Sequence, residues 1–291
     1  MEHLYCRRCR CRLLQLYYAL SPVAEAAVAS GQHELADGAP PPVQRARVQR
    51  APGTAVEGLD LTALTPEHVA EIKQLLWLHG VLVFRNQPLS YEQQSSLTDW
   101  FGPQPGPSAF AAPHTRNAEF PALLLISNKP VANPDTLPSG ERSKTEGATD
   151  FGLVWHSDYY YTLPSGHVTV LQAVEPPAVG GETLFADCFA AYGALTAAQR
   201  DKYGVSAVHS IRQMYKRLPQ GDLGGYGRLL TAEELARFDD VRKPLVRAHP
   251  HTGQLALFPG QANSVFPDGV PVDEARCAHA IKSKSSVTVQ Y

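Results

Sequence analysis

Positions 174–185 of this 291-residue chain read Val174-Glu-Pro-Pro-Ala-Val-Gly-Gly-Glu-Thr-Leu-Phe185. The segment 167–173 just before them is rich in β-forming residues, and 183–185 has the composition of a short strand. The Pro and Gly residues between these two segments favour a turn or loop. The stretch therefore predicts two strands with a connection between them, and the pattern that follows predicts a helix over 190–203.

Helices and strands are predicted on both sides of this stretch. Thr65 as N-cap and Pro66 at the first helical position begin a helix that ends at Gly80, and a buried strand follows at 81–84. Further elements are predicted as a helix over 91–101, a strand over 123–127, and a strand pair over 245–248 and 255–258. Strands with intervening helices and no regular βαβ alternation predict an α+β fold: a double-stranded β-helix (a cupin-like jelly roll) with helical insertions.

Composition restricts the class of protein. Hydrophobic residues make up 44% of the chain and charged residues 19%, as in a globular domain. The net charge of −2 favours neither nucleic acid nor an anionic membrane surface as a partner. No segment approaches the roughly 18 apolar residues that span a bilayer. These properties leave an ordinary solvated surface as the favoured interpretation, and a homo-oligomer is compatible with the sequence.

The first 45 residues differ from the rest. Three prolines at 40–42 break the pattern, so we expect a poorly ordered extension over 1–45 and one domain over 46–291. Its His3, Cys6, Cys9 and Cys11 are either a small zinc site or part of a disordered basic terminus, and the second interpretation is favoured. The chain has 5 Cys, an odd and scattered set. This favours a reducing, cytoplasmic location, with an N-terminal targeting segment not excluded.

The sharpest local feature is Trp155-His156-Ser157-Asp158. Residues two apart on an extended segment point to the same side, so His156 and Asp158 could reach one metal ion. With 11 His and 28 acidic residues in the chain, chance alone predicts about one His-x-acid pattern, and one is present. The pair by itself therefore does not exclude a surface strand with two polar residues.

The order of four segments is more specific than any one of them. The segments are His79-Gly-Val-Leu-Val-Phe-Arg85, Trp155-His-Ser-Asp158, the 174–185 stretch with its helix, and His249-Pro-His-Thr-Gly-Gln-Leu-Ala-Leu-Phe258. Together they resemble the taurine/2,4-dichlorophenoxyacetate dioxygenases (the TauD/TfdA family), a branch of the Fe(II)- and 2-oxoglutarate-dependent oxygenases. The resemblance covers roughly residues 46–280.

The resemblance implies a site and a reaction. It implies that His156 and Asp158 are iron ligands at the catalytic centre, and that the Thr183 hydroxyl binds a carboxylate of 2-oxoglutarate. The alternative for Thr183 is an ordinary β-branched strand residue. The implied cofactor is Fe(2+) and the implied cosubstrates are 2-oxoglutarate and dioxygen. The family reaction hydroxylates a small organic substrate while 2-oxoglutarate is decarboxylated to succinate.

The resemblance also bears on several residues outside the proposed iron site. His79 and Arg85 match a segment that forms a core strand in the family, so a structural role is expected. His249 and His251 fall in a family turn that does not bind metal, and they are interpreted as loop histidines. The tyrosines at 159–161 are expected either to line the substrate pocket or to pack in the sheet.

Two features bear on the substrate. Residues 128–150 are rich in Pro, Asn, Ser and Gly and are expected to form a lid over the site. Gly152 stands where the taurine enzyme carries Asn, which argues against taurine itself.

The C-terminal part departs from the family. A second His ligand and an Arg for the distal carboxylate of 2-oxoglutarate are expected well beyond the 249–253 turn, and neither is recognised there. His279, the only late histidine, falls on a predicted helix, and 281–291 resembles nothing in the family. The sequence therefore predicts a truncated or alternatively spliced chain that lacks its last strands, exposes a sheet edge, binds Fe(II) weakly and turns over little.

Two alternatives to an active oxygenase remain open at this point. One is a non-catalytic truncated fragment or pseudoenzyme of the same family. The other is a cupin-like metalloprotein with a different reaction, against which the Gly-Gly-Glu-Thr segment and the helix order count.

Overall fold

A computed structural model describes residues 10–17, 53–104, 117–127, 129–130, 156–163, 166–176, 178, 183–203, 206–212, 231–258, 264–265 and 286–289. The helices are α1 (Pro66–His79), α2 (Tyr91–Asp99), α3 (Cys188–Gly193), α4 (Ala197–Tyr203) and α5 (Ala232–Ala236). The first strands are β1 (Arg10–Tyr17), β2 (Thr54–Val56), β3 (Leu82–Phe84), β4 (Leu123–Ser127), β5 (Gly166–Glu175) and β6 (Thr183–Ala186). The later strands are β7 (Ser206–His209), β8 (Val241–Pro244), β9 (Val246–Ala248), β10 (Leu255–Leu257), β11 (Ser264–Val265) and β12 (Ser286–Val289).

Helix α1 begins and ends where the sequence predicts. The Thr65 hydroxyl accepts from the His68 backbone N–H at 3.3 Å, and Nδ1 of His68 accepts from the Thr65 backbone N–H at 3.3 Å. Two of the otherwise unpaired backbone donors at this end are therefore satisfied. Gly80 closes the helix with φ 74°, a left-handed conformation that glycine adopts without steric cost. The chain then enters β3, as expected.

A predicted helix over 190–203 is two helices in the structure. Thr196 interrupts it, because its hydroxyl accepts from the Gln199 backbone N–H at 3.3 Å while the Gln199 side chain accepts from the Thr196 N–H at 2.8 Å. This reciprocal cap starts α4 immediately after α3 ends.

The main sheet has the order β4-β1-β5, with antiparallel pairs on both sides of β1. Strand β1 lies within the segment expected to be a poorly ordered extension, so the structure departs from that expectation for these eight residues. The physical reason is the composition of 13–17, which is mostly apolar over the length of a strand and so favours burial between β4 and β5. The remaining residues of that segment, including the cysteines at 6 and 9, lie outside the described part of the chain.

The other pairings build smaller sheets. The antiparallel ones are β10-β9, β11-β7-β8 and β12-β6, whereas β2 and β3 pair in parallel. The predicted strand pair on either side of the 249–253 turn is confirmed as β9 and β10. Strand β12 comes from the C-terminal segment that resembles no family sequence, and it pairs with β6 from Thr183 to Ala186. An open sheet edge was expected after loss of the last strands. It is not found on the side of β6 that pairs with β12.

Two apolar clusters hold these elements together. One joins α1 and α2 and includes the buried residues Ile72 and Leu97, with Val168 and Val170 of β5 packed against it. The other includes Leu195, Tyr203, Leu245 and Leu257. Thr169 lies between these two valines on β5. Because side chains alternate along a strand, it faces the opposite side. That opposite face carries the candidate site.

No helix in the described part of the chain is long and apolar enough to cross a membrane. Most of the predicted lid over 128–150 lies outside the described residues, as do Gly152, Trp155 and His279.

Candidate metal centre

The His156 and Asp158 side chains meet, as the sequence predicts. Nε2 of His156 lies 3.3 Å from Oδ1 of Asp158, and the two side chains are 31% and 25% exposed. Two such ligands held about 2.1 Å from a common ion would lie about 3 Å apart, so the pair fits a shared metal. Positions 156 and 157 belong to no helix or strand and the chain turns at Asp158, so the pair lies at a loop rather than on a strand.

Thr169 orients the Asp158 carboxylate. Its hydroxyl donates to Oδ2 of Asp158 at 2.9 Å, while the other carboxylate oxygen faces His156. Hydrogen bonds to the second oxygen of a ligating carboxylate fix its orientation and raise metal affinity. Thr169 was missed in the sequence, because nothing local marks a residue eleven positions away as a partner.

A glycine allows β5 to approach this turn. A Cβ atom on Gly166 would lie 2.9 Å from the carbonyl oxygen of Asp158, closer than real Cβ contacts. Glycine at the first position of β5 therefore lets the strand pass beside the site, which places Thr169 within reach of the carboxylate.

A buried lysine donates hydrogen bonds to the turn that follows the pair. Tyr159 adopts φ 51°, a left-handed conformation that is uncommon for a non-glycine residue. Lys243 of β8 is 2% exposed, and its Nζ donates to the carbonyl oxygens of Tyr160 at 2.8 Å and Thr162 at 2.5 Å. These bonds offset the cost of burying the ammonium group and hold the turn in its unusual shape.

Tyr160 is a packing residue. It is 2% exposed and meets the His209 ring edge-on at a centroid distance of 5.5 Å. Burial, followed by the charges of Lys243 and Arg247, lowers the pKa of His209 to about 3. His209 is therefore neutral at physiological pH beneath the turn. Of the two roles considered for the three tyrosines, packing applies to Tyr160.

Thr183 lies on a separate element from the pair. It is the first residue of β6 and pairs with Val289 of β12. Its placement at the start of a strand agrees with the sequence, while its role with 2-oxoglutarate stays a prediction. Among the described residues, no group of three or more His, Cys, Asp or Glu side chains is arranged to hold a metal. Within that part of the chain, no third residue of these types joins His156 and Asp158.

The loop histidines form an aromatic cluster that the sequence did not indicate. His249 and His251 lie in the turn between β9 and β10, as expected. The Trp77 ring of α1 stacks on His251 at 4.1 Å with an interplanar angle of 8°. Nε2 of His251 lies 3.3 Å from Nε2 of His167, which is on β5. Trp77 and His167 were not singled out, because each belongs to an element distant in sequence from the turn.

The model of the family described as "Taurine catabolism dioxygenase TauD, TfdA family" matches residues 44–282. The chain belongs to the TauD/TfdA dioxygenase family. The match includes the His156–Asp158 pair and Thr183 and excludes β12.

Curated relatives agree with the TauD/TfdA assignment. The chain is 34% identical over 223 residues to an alpha-ketoglutarate-dependent 2,4-dichlorophenoxyacetate dioxygenase of Cupriavidus pinatubonensis, covering 76% of this chain and 74% of the relative. It is 29% identical over 232 residues to the pentalenolactone F synthase of Streptomyces avermitilis, covering 75% and 72% of the two chains. The protein is thus a 2-oxoglutarate-dependent dioxygenase acting on a small organic substrate, and the non-catalytic alternative is not favoured.

Solved structures show the fold. The crystal structure of AAD-2 in complex with Mn(II) and N-oxalylglycine superposes with a TM-score of 0.58, at 23% identity, over 84% of this chain and 82% of that one. At that identity the similarity establishes the cupin-like architecture alone. It does not confirm the truncation expected from the sequence.

Proposed function

We infer that this TauD/TfdA-family protein holds Fe(II) through Nε2 of His156 and Oδ1 of Asp158 and hydroxylates a small organic acid. The observation that carries the assignment is the 3.3 Å separation of these two atoms, with the second carboxylate oxygen held by Thr169. An imidazole and a carboxylate are ligands that suit non-haem iron and leave positions open for other ligands.

The bound group would supply the oxidising chemistry, and the chain supplies its placement. Thr169 keeps Oδ1 of Asp158 turned toward His156. Lys243 holds the turn that follows, so the pair is attached to β8 as well as β5. We assign the Thr183 hydroxyl of β6 to a carboxylate of 2-oxoglutarate, on the basis of the family position alone.

Phenoxyalkanoates are the first substrates to test. The relatives include the 2,4-dichlorophenoxyacetate dioxygenase and an (S)-phenoxypropionate/alpha-ketoglutarate-dioxygenase of Delftia acidovorans, which is 30% identical over 224 residues. These names favour an aromatic carboxylic acid over taurine. A reducing cytoplasm is the proposed location, since the proposed iron is Fe(II) and the 5 Cys of the sequence are an odd, scattered set.

The test is metal binding to the chain as it stands, without oxygen. Mn(II) binding is followed by electron paramagnetic resonance, and Fe(II) with 2-oxoglutarate by the visible charge-transfer band of the chelate. Alanine at 156 or 158 is expected to weaken Mn(II) binding by more than about 100-fold, because changes to outer-shell partners alone cost 10–100-fold.

The control is His79→Gln, which removes an imidazole at the end of α1 and is expected to leave Mn(II) affinity unchanged. Equal Mn(II) affinity in His156→Ala, Asp158→Ala and the parent chain would contradict the assignment. A charge-transfer band that persists in both variants would do the same.

A further inference from the structure

A second pair of ligand atoms involves His167 of β5, the strand that also carries Thr169. Nε2 of His167 and Nε2 of His251 are 3.3 Å apart, although the residues are 84 positions apart in the chain. Nitrogen ligands held 2.0–2.1 Å from a tetrahedral zinc ion lie about 3.3 Å apart. The two atoms are therefore spaced as two ligands of one ion.

Trp77 fixes the orientation of both rings. It stacks on His251 at 4.1 Å and meets the His167 ring edge-on at 5.4 Å with an angle of 65°. The two imidazole rings are inclined to each other at 68° with centroids 5.3 Å apart. A pair of ligands that is already positioned loses little rotamer entropy when an ion binds.

His249 positions the turn and is not a ligand in this arrangement. Its Nδ1 accepts from the backbone N–H groups of His251 at 3.4 Å and Thr252 at 3.3 Å. An accepting Nδ1 places the ring proton on Nε2 in a neutral imidazole, so neither nitrogen of His249 is available to a metal.

Burial and nearby positive charge lower the pKa of both imidazoles. Burial, followed by the charges of His251, His249, Arg247 and Lys73, lowers the pKa of His167 to about 4. Burial, then Lys73, lowers the pKa of His251 as well. Neutral imidazole is the form that ligates metals, whereas the nearby cations Lys73 and Arg247 limit the affinity.

We propose that His167 and His251 form a second metal site for a borderline divalent transition ion such as Ni²⁺, Cu²⁺ or Zn²⁺, with water as the remaining ligands. Imidazole suits these ions, and the order of intrinsic affinities places all three above Fe²⁺. Without an ion the same two nitrogens share one hydrogen bond.

The site is separate from the His156–Asp158 pair. His167 lies two residues before Thr169 on β5, at a register irregularity of that strand. Within the described residues no third His, Cys, Asp or Glu joins either pair as a ligand. The inference therefore stands or falls independently of the iron assignment.

The test uses Trp77 as a reporter in the full chain. Phe replaces Trp100 and Trp155, so that the remaining indole is the one stacked on His251, and Ni²⁺ is titrated while fluorescence is recorded. Saturable quenching is expected. His167→Gln and His251→Gln are each expected to raise the midpoint at least tenfold, and circular dichroism checks that each variant folds.

Two control variants make the outcome decisive. His249→Asn keeps a hydrogen-bond acceptor for the turn but removes the imidazole ring. His156→Ala removes the imidazole of the other pair. Both variants are expected to keep the midpoint of the Ni²⁺ titration within twofold. An unchanged midpoint in both Gln variants, or loss of quenching in His156→Ala, overturns the proposal.

A second measurement leaves both His167 and His251 unchanged. Electron paramagnetic resonance of one equivalent of Cu²⁺ on the His156→Ala chain is expected to show two imidazole nitrogens. Fewer than two overturns the proposal.

Discussion

Two pairs of metal-competent side chains lie beside strand β5, and they arise in different ways. His156 and Asp158 are neighbours in sequence, whereas His167 and His251 come together across 84 residues. The first pair is supported by Thr169 and Lys243, and the second by Trp77 and the His249 turn. A local motif can therefore be found by inspection of the sequence, while an assembled pair becomes visible only in the folded chain.

The largest expected effect is on the free energy of unfolding, when the lysine that holds the turn after the first pair is replaced. Lys243→Met leaves the carbonyl oxygens of Tyr160 and Thr162 without their buried donor. Each unsatisfied buried group costs about 1–3 kcal/mol, so the free energy of unfolding is expected to fall by about 3 kcal/mol. Urea denaturation measures this change. The exposed Lys202→Met on α4 serves as the control and should change stability by less than about 0.5 kcal/mol.

The same variant also separates the two pairs. Mn(II) affinity at His156–Asp158 is expected to fall in Lys243→Met, while Ni²⁺ quenching of Trp77 is retained. A parallel loss at both pairs would mean that the two supports are coupled and that the comparison between them is wrong.

Lowering the pH is expected to reduce the stability of the protein through His209, which packs against Tyr160 in the turn after the first pair. Its pKa is about 3 in the folded chain against an ordinary value of 6.5, so the unfolded chain binds the additional proton between these values. Stability is therefore complete above pH 6.5 and is lost as the pH falls toward 3, by about 2 kcal/mol between pH 6.5 and 5. Thermal unfolding of His209→Gln should show a shallower pH dependence over this interval than the parent chain. An identical slope would exclude His209 as the cause.

Thr169 gives a sharper test because it stands two residues from His167. Thr169→Val removes the hydroxyl that donates to Asp158 and should weaken Mn(II) binding by about 10–100-fold. Thr169→Ser keeps the hydroxyl and should restore most of the affinity. Ni²⁺ quenching of Trp77 is expected to be the same in all three proteins. A change in quenching with Val would show that one ion serves both pairs.

The smallest effect is expected at Trp77. Trp77→Leu removes a ring that stacks on His251, and such contacts contribute about 0.5–1.5 kcal/mol. Calorimetric titration with Ni²⁺ should therefore show an affinity lower by about twofold to tenfold. Trp77→Phe retains an aromatic face and should lie between the two. Affinities in the opposite order would indicate that the stack obstructs the ion.

Local signals in the sequence predicted several of the helices, strands and turns correctly. The Thr65 cap, Gly80 and the turn closed by Gly253 each depend on a few adjacent residues, and the structure has them where expected. The break before Thr196 was also present as a Thr-x-x-Gln pattern but was overlooked. Its signal was as local as those that were recognised.

What the sequence could not supply depends on contacts between distant segments. Thr169 reaches Asp158 because Gly166 lets β5 pass close to the turn, and Lys243 reaches Tyr160 over 83 positions. A buried lysine is also contrary to its usual exposure, so no pattern would have placed it there. Strand β1 was missed for a similar reason, because its partners β4 and β5 lie more than a hundred residues further on.

The central position of β1 has a consequence for synthesis. Residues 10–17 are synthesised about 150 residues before one partner, 166–175. At 5–20 residues per second, β1 waits roughly 10–30 seconds before the sheet can close around it. During that time an apolar strand is available to other nascent chains. The yield of folded protein should therefore depend on translation speed and on chaperone supply.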